Sequence, residues 1–221
     1  VWNDKCVSKK KGKKPSEYTE AHAHMEEVYA SLLKKYKDIE TYSDWEKDTI
    51  EVNKITLVDN GVHASRKRPQ VLQTIQYLSD NADHVIIQTP YVICNGYMYD
   101  VLQQISDHAK LQIVLNAVEK GSNPWGCTDY LNQKKRILKT GADVYELMNE
   151  YPVHTKAVLI DDRLSVVGSY NLDMRSTYLD TELMLVIDSE KLNQQIRATE
   201  SDYMEKSKEV LADGHETEGA K

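Results

Sequence analysis

Apolar residues recur along this chain with two different periods, and the period changes from one segment to the next. In the first segment they stand three and four positions apart, which predicts an amphipathic helix over 18–37. From residue 54 onward, short runs rich in β-branched residues alternate with segments of helical period. Strands that alternate with helices predict a layered α/β domain.

The predicted strands are short apolar runs bounded by turn residues. They cover 55–58, 84–88, 111–115, 144–147, 153–160, 164–167 and 182–187. A long helix is predicted from Ser189 as far as Val210. The later strands follow one another too closely for the crossover that parallel neighbours need, so we expect a mixed β-sheet layered between helices. The predicted division is a basic loop and amphipathic helix over 1–53 and a catalytic domain over 54–221.

Composition narrows the classes of function. The chain has 28 basic and 35 acidic residues, a formal net charge of −7, which disfavours purely electrostatic binding of nucleic acid. The longest stretch without a charged residue, 84–99, is too short and too polar for a transmembrane helix, so we expect this part of the protein to be soluble. Cys6, Cys94 and Cys127 are odd in number and far apart, which predicts neither a disulfide framework nor a structural zinc cluster.

One segment carries residue types suited to a phosphate group. Its members are His154, Lys156, Asp161, Gly168, Ser169 and Asn171. Residues two apart on a strand share a face, so we expect His154 and Lys156 to project into one pocket. The turn signal at Asp161 predicts a hairpin that returns Ser169 and Asn171 to the same site.

These residue types predict a covalent phosphoryl transfer. A neutral imidazole, here that of His154, attacks phosphorus and divides a difficult displacement into two easier ones. Lys156, Ser169 and Asn171 supply donors to the phosphate oxygens, and such preorganised donors need no metal or other cofactor. Glu182, polar at the start of an apolar strand, is the candidate to orient the ring. We expect Asp161 to support the motif structurally rather than to transfer a proton.

These six residues fill every fixed position of the pattern H-x-K-x4-D-x6-G-S-x-N, and the chain therefore resembles the phospholipase D superfamily. The segments 89–91 and 171–176 are similar to its cardiolipin synthase branch, although Asp180 stands where that branch normally has asparagine. The resemblance covers about 55–210. It implies the mixed-sheet fold, a phosphohistidine intermediate, and a phosphate held by Lys156, Ser169 and Asn171.

Members of this superfamily place two such motifs around one site. One histidine attacks, and the other protonates the leaving oxygen and then activates the incoming alcohol or water. This chain has one motif, because the segment from His108 to Lys110 is followed by Leu115 where aspartate is needed. The opening Val1-Trp2-Asn3 is similar to the segment that closes the first half of two-motif relatives. We therefore expect the C-terminal half of a duplicated enzyme, membrane-associated at full length, whose second histidine comes from the missing half or from a homodimer.

The leading hypothesis is an enzyme that transfers or hydrolyses the phosphodiester of a phospholipid. One alternative is a nuclease of the same superfamily that acts as a symmetric dimer. Another is a non-catalytic half that only binds phosphate. Two further features favour a structural over a functional interpretation. The lysine-rich run 9–14 fits a solvated loop better than a contact with anionic lipid or nucleic acid. His22 and His24 are two apart on a helix, so they make a poor metal-binding pair.

Overall fold

The computed structural model describes residues 16–38, 40–44, 46–47, 49–62, 67–121 and 123–210. The predictions for Cys6, the lysine-rich run and the opening tryptophan-asparagine segment lie outside these residues. Contacts divide the chain between Thr49 and Ile50 into two units. In the first unit, helix α1 spans Ser16–Lys35, close to the predicted 18–37. Four large apolar side chains of α1 are exposed, namely Met25, Val28, Tyr29 and Leu32.

The second unit is built on one sheet, to which the described residues contribute eight strands. They are β1 (Lys54–Asp59), β2 (His84–Gln88), β3 (Lys110–Asn116), β4 (Asp143–Leu147), β5 (Ala157–Ile160), β6 (Leu164–Gly168), β7 (Leu183–Asp188) and β8 (Ser207–Val210). Their order is β1-β7-β6-β5-β2-β3-β4-β8. The β2–β3 and β3–β4 pairs are parallel and the other neighbouring pairs are antiparallel. The mixed sheet predicted from the sequence is confirmed.

Helices cover both faces of this sheet. They are α2 (Gln70–Ser79), α3 (Gly96–Ser106), α4 (Pro124–Leu138), α5 (Met174–Tyr178) and α6 (Glu190–Glu205), with a 3-10 turn at Val118–Lys120. The larger core lies against α2, α3 and α4, where Leu72 and Ile137 are almost fully buried. A smaller cluster of Ile86, Val114 and Leu159 faces α6 on the other side. Burial of apolar surface on both faces holds the layers together.

Four of these helices begin where a polar side chain accepts a hydrogen bond from a backbone N–H of the first turn. The capping residues are Asn95, Asn123, Asp173 and Ser189. Such caps satisfy donors that have no partner within the helix, and they fix where the helix starts. None of the helices in the part of the chain that the structure describes is both long and apolar enough to cross a bilayer.

Two predicted elements differ from the structure. The strand predicted over 153–160 is regular only over β5. Before it, the N–H and the carbonyl of Val153 form hydrogen bonds with the Asn116 side chain and not with the backbone of a neighbouring strand. The helix predicted from Ser189 to Val210 ends at Glu205, and its last residues form β8. Pairing of β8 with β4 satisfies backbone groups of β4 that a continued helix would leave without partners.

Candidate active site

The β5–β6 hairpin brings both parts of the motif to one edge of the sheet. The Gly168 N–H donates to the Lys156 carbonyl at 3.3 Å. This bond puts the start of β5, which His154 and Lys156 precede, beside the end of β6, from which Ser169 emerges. Strand β7 pairs with the far side of β6 and begins directly after Glu182. Residues that are far apart in the sequence therefore meet at this edge.

His154 and Lys156 are in direct contact. The Lys156 ammonium donates to His154 Nδ1 at 2.8 Å and to the His154 carbonyl at 2.7 Å. An ammonium group has donors and no acceptor, so Nδ1 must accept, and the neutral ring carries its hydrogen on Nε2. Lys156 is 7% exposed, whereas His154 is open to solvent. The histidine is thus accessible to a ligand while the lysine beneath it is held in place.

The surroundings keep the His154 ring neutral. Partial burial lowers the pKa of His154 below its ordinary value of 6.5, and the neighbouring Lys156 cation lowers it further. Burial also lowers the pKa of Lys156, while the negative charges of Glu182 and Asp173 oppose that effect. A neutral imidazole beside an ammonium is the protonation state that attack on a phosphate requires.

Asn116, at the end of β3, fixes the segment that carries His154. Its Nδ2 donates to the Val153 carbonyl at 2.8 Å, and its Oδ1 accepts from the Val153 N–H at the same distance. It also donates to the carbonyl of Pro90 at 3.2 Å. Asn116 lies outside the sequence motif and was not among the predicted site residues. The available signal was a carboxamide directly after the apolar run Ile113–Leu115 of β3.

Ser169 and Glu182 form a second pair at the site. The Ser169 hydroxyl donates to Glu182 Oε2 in a short hydrogen bond and accepts from the Leu183 N–H at 3.0 Å. Glu182 is 6% exposed. Its described hydrogen bond comes from Ser169, while Lys156 donates to His154 Nδ1 and the charge of Glu182 raises the pKa of Lys156. The orienting role predicted for Glu182 stays a prediction.

Glycine at position 168 allows the closest backbone approach at the site. A Cβ there would lie 2.1 Å from the Leu183 carbonyl oxygen and 2.9 Å from the Met184 Cα. Both neighbours are backbone atoms of β7, which cannot turn aside as a side chain can. The glycine of the motif is therefore required by packing, and it sets how close Ser169 comes to Glu182.

Asn171 carries an unsatisfied polar atom. Its Nδ2 donates to the Ser176 hydroxyl at 3.3 Å, while its buried Oδ1 has no partner among the described residues. A half-turn of the carboxamide exchanges the two atoms, since the Ser176 hydroxyl can also donate. The Asn171 amide can then offer its donors on the side that is unsatisfied. Incomplete hydrogen bonding of this kind is typical of a site that a ligand completes.

A pocket of about 200 Å³ opens beside His154. Its lining includes Tyr91, Asn123, Cys127 and Val153. The walls combine an aromatic ring, a carboxamide and aliphatic surface, as in sites for small organic groups. Val153 faces the same pocket as His154, contrary to the alternation predicted for a regular strand, because the backbone is not a β-strand there.

A comparison with protein families shows to which family the chain belongs. The family model described as cardiolipin synthase, PLD-like domain, matches residues 74–202, more than half of the chain. The chain belongs to this family. Cardiolipin synthase A of Klebsiella pneumoniae is 31% identical over 144 residues, which are 63% of this chain and 28% of that protein. The Salmonella arizonae protein of the same name is 30% identical over 144 residues. The chain thus spans less than a third of the length of these relatives.

Solved structures share the fold. The phospholipase D family member Nuc from Salmonella typhimurium aligns with a TM-score of 0.57 at 14% identity, covering 71% of this chain and 97% of that one. Phosphatidylserine synthase of Haemophilus influenzae aligns with a TM-score of 0.56 at 19% identity, covering 72% and 40%. These likenesses establish that this cardiolipin synthase PLD-like domain has the phospholipase D fold.

The two segments that resemble the cardiolipin synthase branch contact each other in this PLD-like domain. The Thr89 hydroxyl donates to the Tyr91 carbonyl at 3.1 Å and accepts from the Leu172 N–H at 3.2 Å. Asp180, which departs from the branch, forms an exposed ion pair with Arg175 at 3.0 Å. The departure therefore lies at the surface, beside α5.

Asp161 lies at the opposite end of β5 from His154. Its carboxylate accepts from the N–H groups of Asp83 and His84 at 2.9 and 3.0 Å, and its backbone has a φ of 46°. The Arg197 side chain donates to the Asp161 carbonyl. These contacts hold the hairpin at the end of β5 that lies away from His154, and the supporting role predicted for Asp161 stays a prediction.

Of the described cysteines, Cys127 lines the pocket beside His154, whereas Cys94 does not. Cys94 and Cys127 are free thiols, and burial raises the pKa of Cys94 to about 12, so that thiol is unreactive near neutral pH. Within the described ranges, no three metal-ligating side chains come together. His22 lies on exposed α1, 3.9 Å from the Glu26 carboxylate.

Proposed function

We propose that this domain transfers the phosphatidyl group of a phospholipid through a covalent phosphoryl intermediate on His154. The observation that supports it best is the contact of a neutral, accessible imidazole with a buried ammonium, next to the Ser169–Glu182 pair. Membership of the cardiolipin synthase PLD-like family supports a phospholipid substrate. Transfer to an alcohol is favoured over hydrolysis because the relatives are synthases.

The resting contact implies a rearrangement when substrate arrives. The phosphate is a stronger acceptor for the Lys156 ammonium than a neutral ring nitrogen, because it carries a full negative charge. Once the Lys156 ammonium donates to the phosphate, it no longer donates to His154 Nδ1. The hydrogen of the neutral ring can then reside on Nδ1. His154 Nε2 then carries a lone pair, which is what attack on phosphorus requires. Substrate binding would thus activate its own nucleophile.

A bond forms between His154 Nε2 and phosphorus, and the bond from phosphorus to the leaving alcohol oxygen breaks. That oxygen takes a proton from a second histidine, which another half of the protein or a second copy supplies. An acceptor alcohol then gives its proton to that second histidine, attacks phosphorus and releases His154. Lys156, Ser169 and Asn171 hold the phosphate oxygens through both steps.

The adduct can be sought by intact-protein mass spectrometry. The chain is incubated with phosphatidylglycerol in detergent, and separately with an oligonucleotide, while light scattering gives its solution mass. We expect a phosphatidyl adduct that His154→Ala abolishes and that His84→Ala, which changes an exposed histidine of the same domain, preserves.

The other outcomes separate the alternatives. An adduct formed from the oligonucleotide and not from lipid would replace the proposal with a nuclease. A phosphatidyl adduct of equal yield in the His154→Ala variant would refute the assignment of His154 as the nucleophile. No adduct from a monomer that still binds phosphate would support the non-catalytic half, and the same incubation would then be repeated on the full-length protein.

A further inference from the structure

A second pocket lies on the other face of the sheet, between α6 and the active-site edge. Its volume is about 330 Å³. The lining includes Gln88, the last residue of β2, and Glu200 of α6. Thr155, which stands between His154 and Lys156, also lines it. The pocket therefore backs directly onto the segment that carries the proposed nucleophile, although it opens on the opposite face.

Two buried oxygen atoms of this lining have no hydrogen-bond partner. Gln88 is 3% exposed and Glu200 is 1% exposed. Gln88 Oε1 and Glu200 Oε2 are the atoms without a partner among the described residues. A buried acceptor without a donor is destabilising, and native proteins rarely retain one without a reason. Both atoms belong to residues that line one pocket, and no described donor reaches either of them.

The Glu200 carboxyl also has no described cation beside it. Burial alone raises the pKa of its carboxyl to about 7. No described residue forms an ion pair with it, whereas buried carboxylates in proteins are normally paired with a cation. The pocket is therefore suited to a group that brings both positive charge and N–H donors.

The walls define the class of cation. Ca²⁺ and Mg²⁺ take six or more oxygen ligands, far more than Glu200 and Gln88 provide, and no three metal-ligating side chains come together among the described residues. A primary ammonium has three N–H donors and one charge, enough to satisfy both unpartnered oxygens. Leu192, Ile196 and Tyr203 supply apolar and aromatic surface for the carbon chain attached to it.

We propose that this pocket binds a primary ammonium group through Glu200 and Gln88. The ammonium belongs to a free amino alcohol or to the headgroup of an aminophospholipid, and both sources offer the same N–H donors. Both oxygens lie beneath the pocket surface, so the ligand displaces part of the wall as it enters. Binding does not require turnover at His154, so this site can be tested whether or not the phosphatidyl transfer exists.

Calorimetric titration with ethanolamine at pH 8, where Glu200 is ionised, tests the site directly. We expect ethanolamine to bind and choline, which has no N–H donor, to bind about tenfold more weakly or not at all. Glu200→Gln keeps the shape and removes the charge, and it should weaken ethanolamine binding about tenfold or more. Glu205→Gln, an exposed glutamate at the end of the same helix, is the matched control and should bind as the unchanged chain does.

Sedimentation with vesicles separates the two sources. Preference for phosphatidylethanolamine over phosphatidylcholine vesicles, lost in Glu200→Gln, would identify the lipid headgroup. Ethanolamine binding without vesicle preference would identify the free amine. The proposal is overturned if ethanolamine fails to bind, or if it binds Glu200→Gln and the unchanged chain equally. Gln88→Met is a second variant that tests the ammonium site independently of Glu200→Gln. Thermal melting checks that both variants fold.

Discussion

The two ends of strand β5 carry residues of the same motif and have opposite properties. At the end near Ala157, the preceding backbone is irregular, a side chain replaces the strand ladder, and Lys156 contacts His154. At the end near Ile160, Asp161 accepts from two backbone N–H groups and the chain turns at once into β6. One end leaves groups available for a ligand, and the other satisfies its groups internally.

The candidate site lies where regular strand pairing stops. Regular strand pairing consumes backbone donors and acceptors, so reactive side chains gather where that pairing stops. The four residues between Lys156 and Asp161 are β5 itself, and all four are buried. A buried strand of fixed length thus separates a reactive end from an anchored end. Changes at one end are expected to leave the other intact, and the following variants test that independence.

The largest expected effect is the loss of stability on Gly168→Ala, at the reactive end. The new Cβ would meet the β7 backbone at 2.1 Å, so the strands must move apart. We expect a loss of about 3 kcal/mol in the free energy of unfolding, measured with denaturant. Gly61→Ala, where no atom lies within 4 Å of the added Cβ, should change it by less than about 0.5 kcal/mol. Equal stability of the two variants would contradict the close approach.

Next in size is the effect of Lys156→Gln on binding of inorganic phosphate. A hydrogen bond from a charged donor contributes about 1.5–3 kcal/mol, so affinity should fall about tenfold to hundredfold. Calorimetric titration of the isolated chain measures it without any need for turnover. Lys110→Gln removes an exposed lysine at the start of β3 and should leave phosphate affinity unchanged. An equal loss in both variants would show that net charge, and not the site, binds phosphate.

At the anchored end, Asp161→Ala should cost less. Two backbone N–H groups lose their acceptor, and a positive φ becomes harder to adopt, which together predict a loss of about 2 kcal/mol. Asp162→Ala removes a carboxylate that is 87% exposed and should cost less than about 0.5 kcal/mol. Phosphate affinity should remain unchanged in both variants. A loss of phosphate binding in Asp161→Ala would break the comparison between the two ends.

Sequence reasoning predicted the elements better than their ends. Strand β2 occupies the predicted 84–88, because a continuous apolar run bounded by a polar segment and a proline leaves little choice. The segment 153–156 and strand β8 were misassigned, since their conformations depend on Asn116 and on the edge of β4. Both partners are distant in the sequence, and a local pattern carries no information about them.

The candidate site shows the same division. Spacing alone brought His154, Lys156 and Ser169 together, since a short hairpin has few ways to close. It did not reveal that the Ser169 hydroxyl donates to the Glu182 carboxylate, or that Asn116 forms hydrogen bonds with the segment before His154. Those contacts form between side chains on different strands, and the order of strands in a sheet is set by tertiary packing.

The smallest expected effect concerns the pKa of His154. Burial and the Lys156 cation both disfavour the imidazolium, so the pKa lies below 6.5 and the ring stays neutral as the pH falls toward that lowered value. Lys156→Gln removes the cation, so the pKa should rise and the ring should become protonated at a higher pH. Titration of the ring nitrogens by NMR measures both values. In the unchanged chain the neutral ring should carry its hydrogen on Nε2, since Lys156 donates to Nδ1, and added phosphate should move that hydrogen to Nδ1. A ring already protonated on Nδ1 before phosphate is added would mean that Lys156 does not hold the nucleophile at rest, and the reactive end would then be preorganised rather than activated by its substrate.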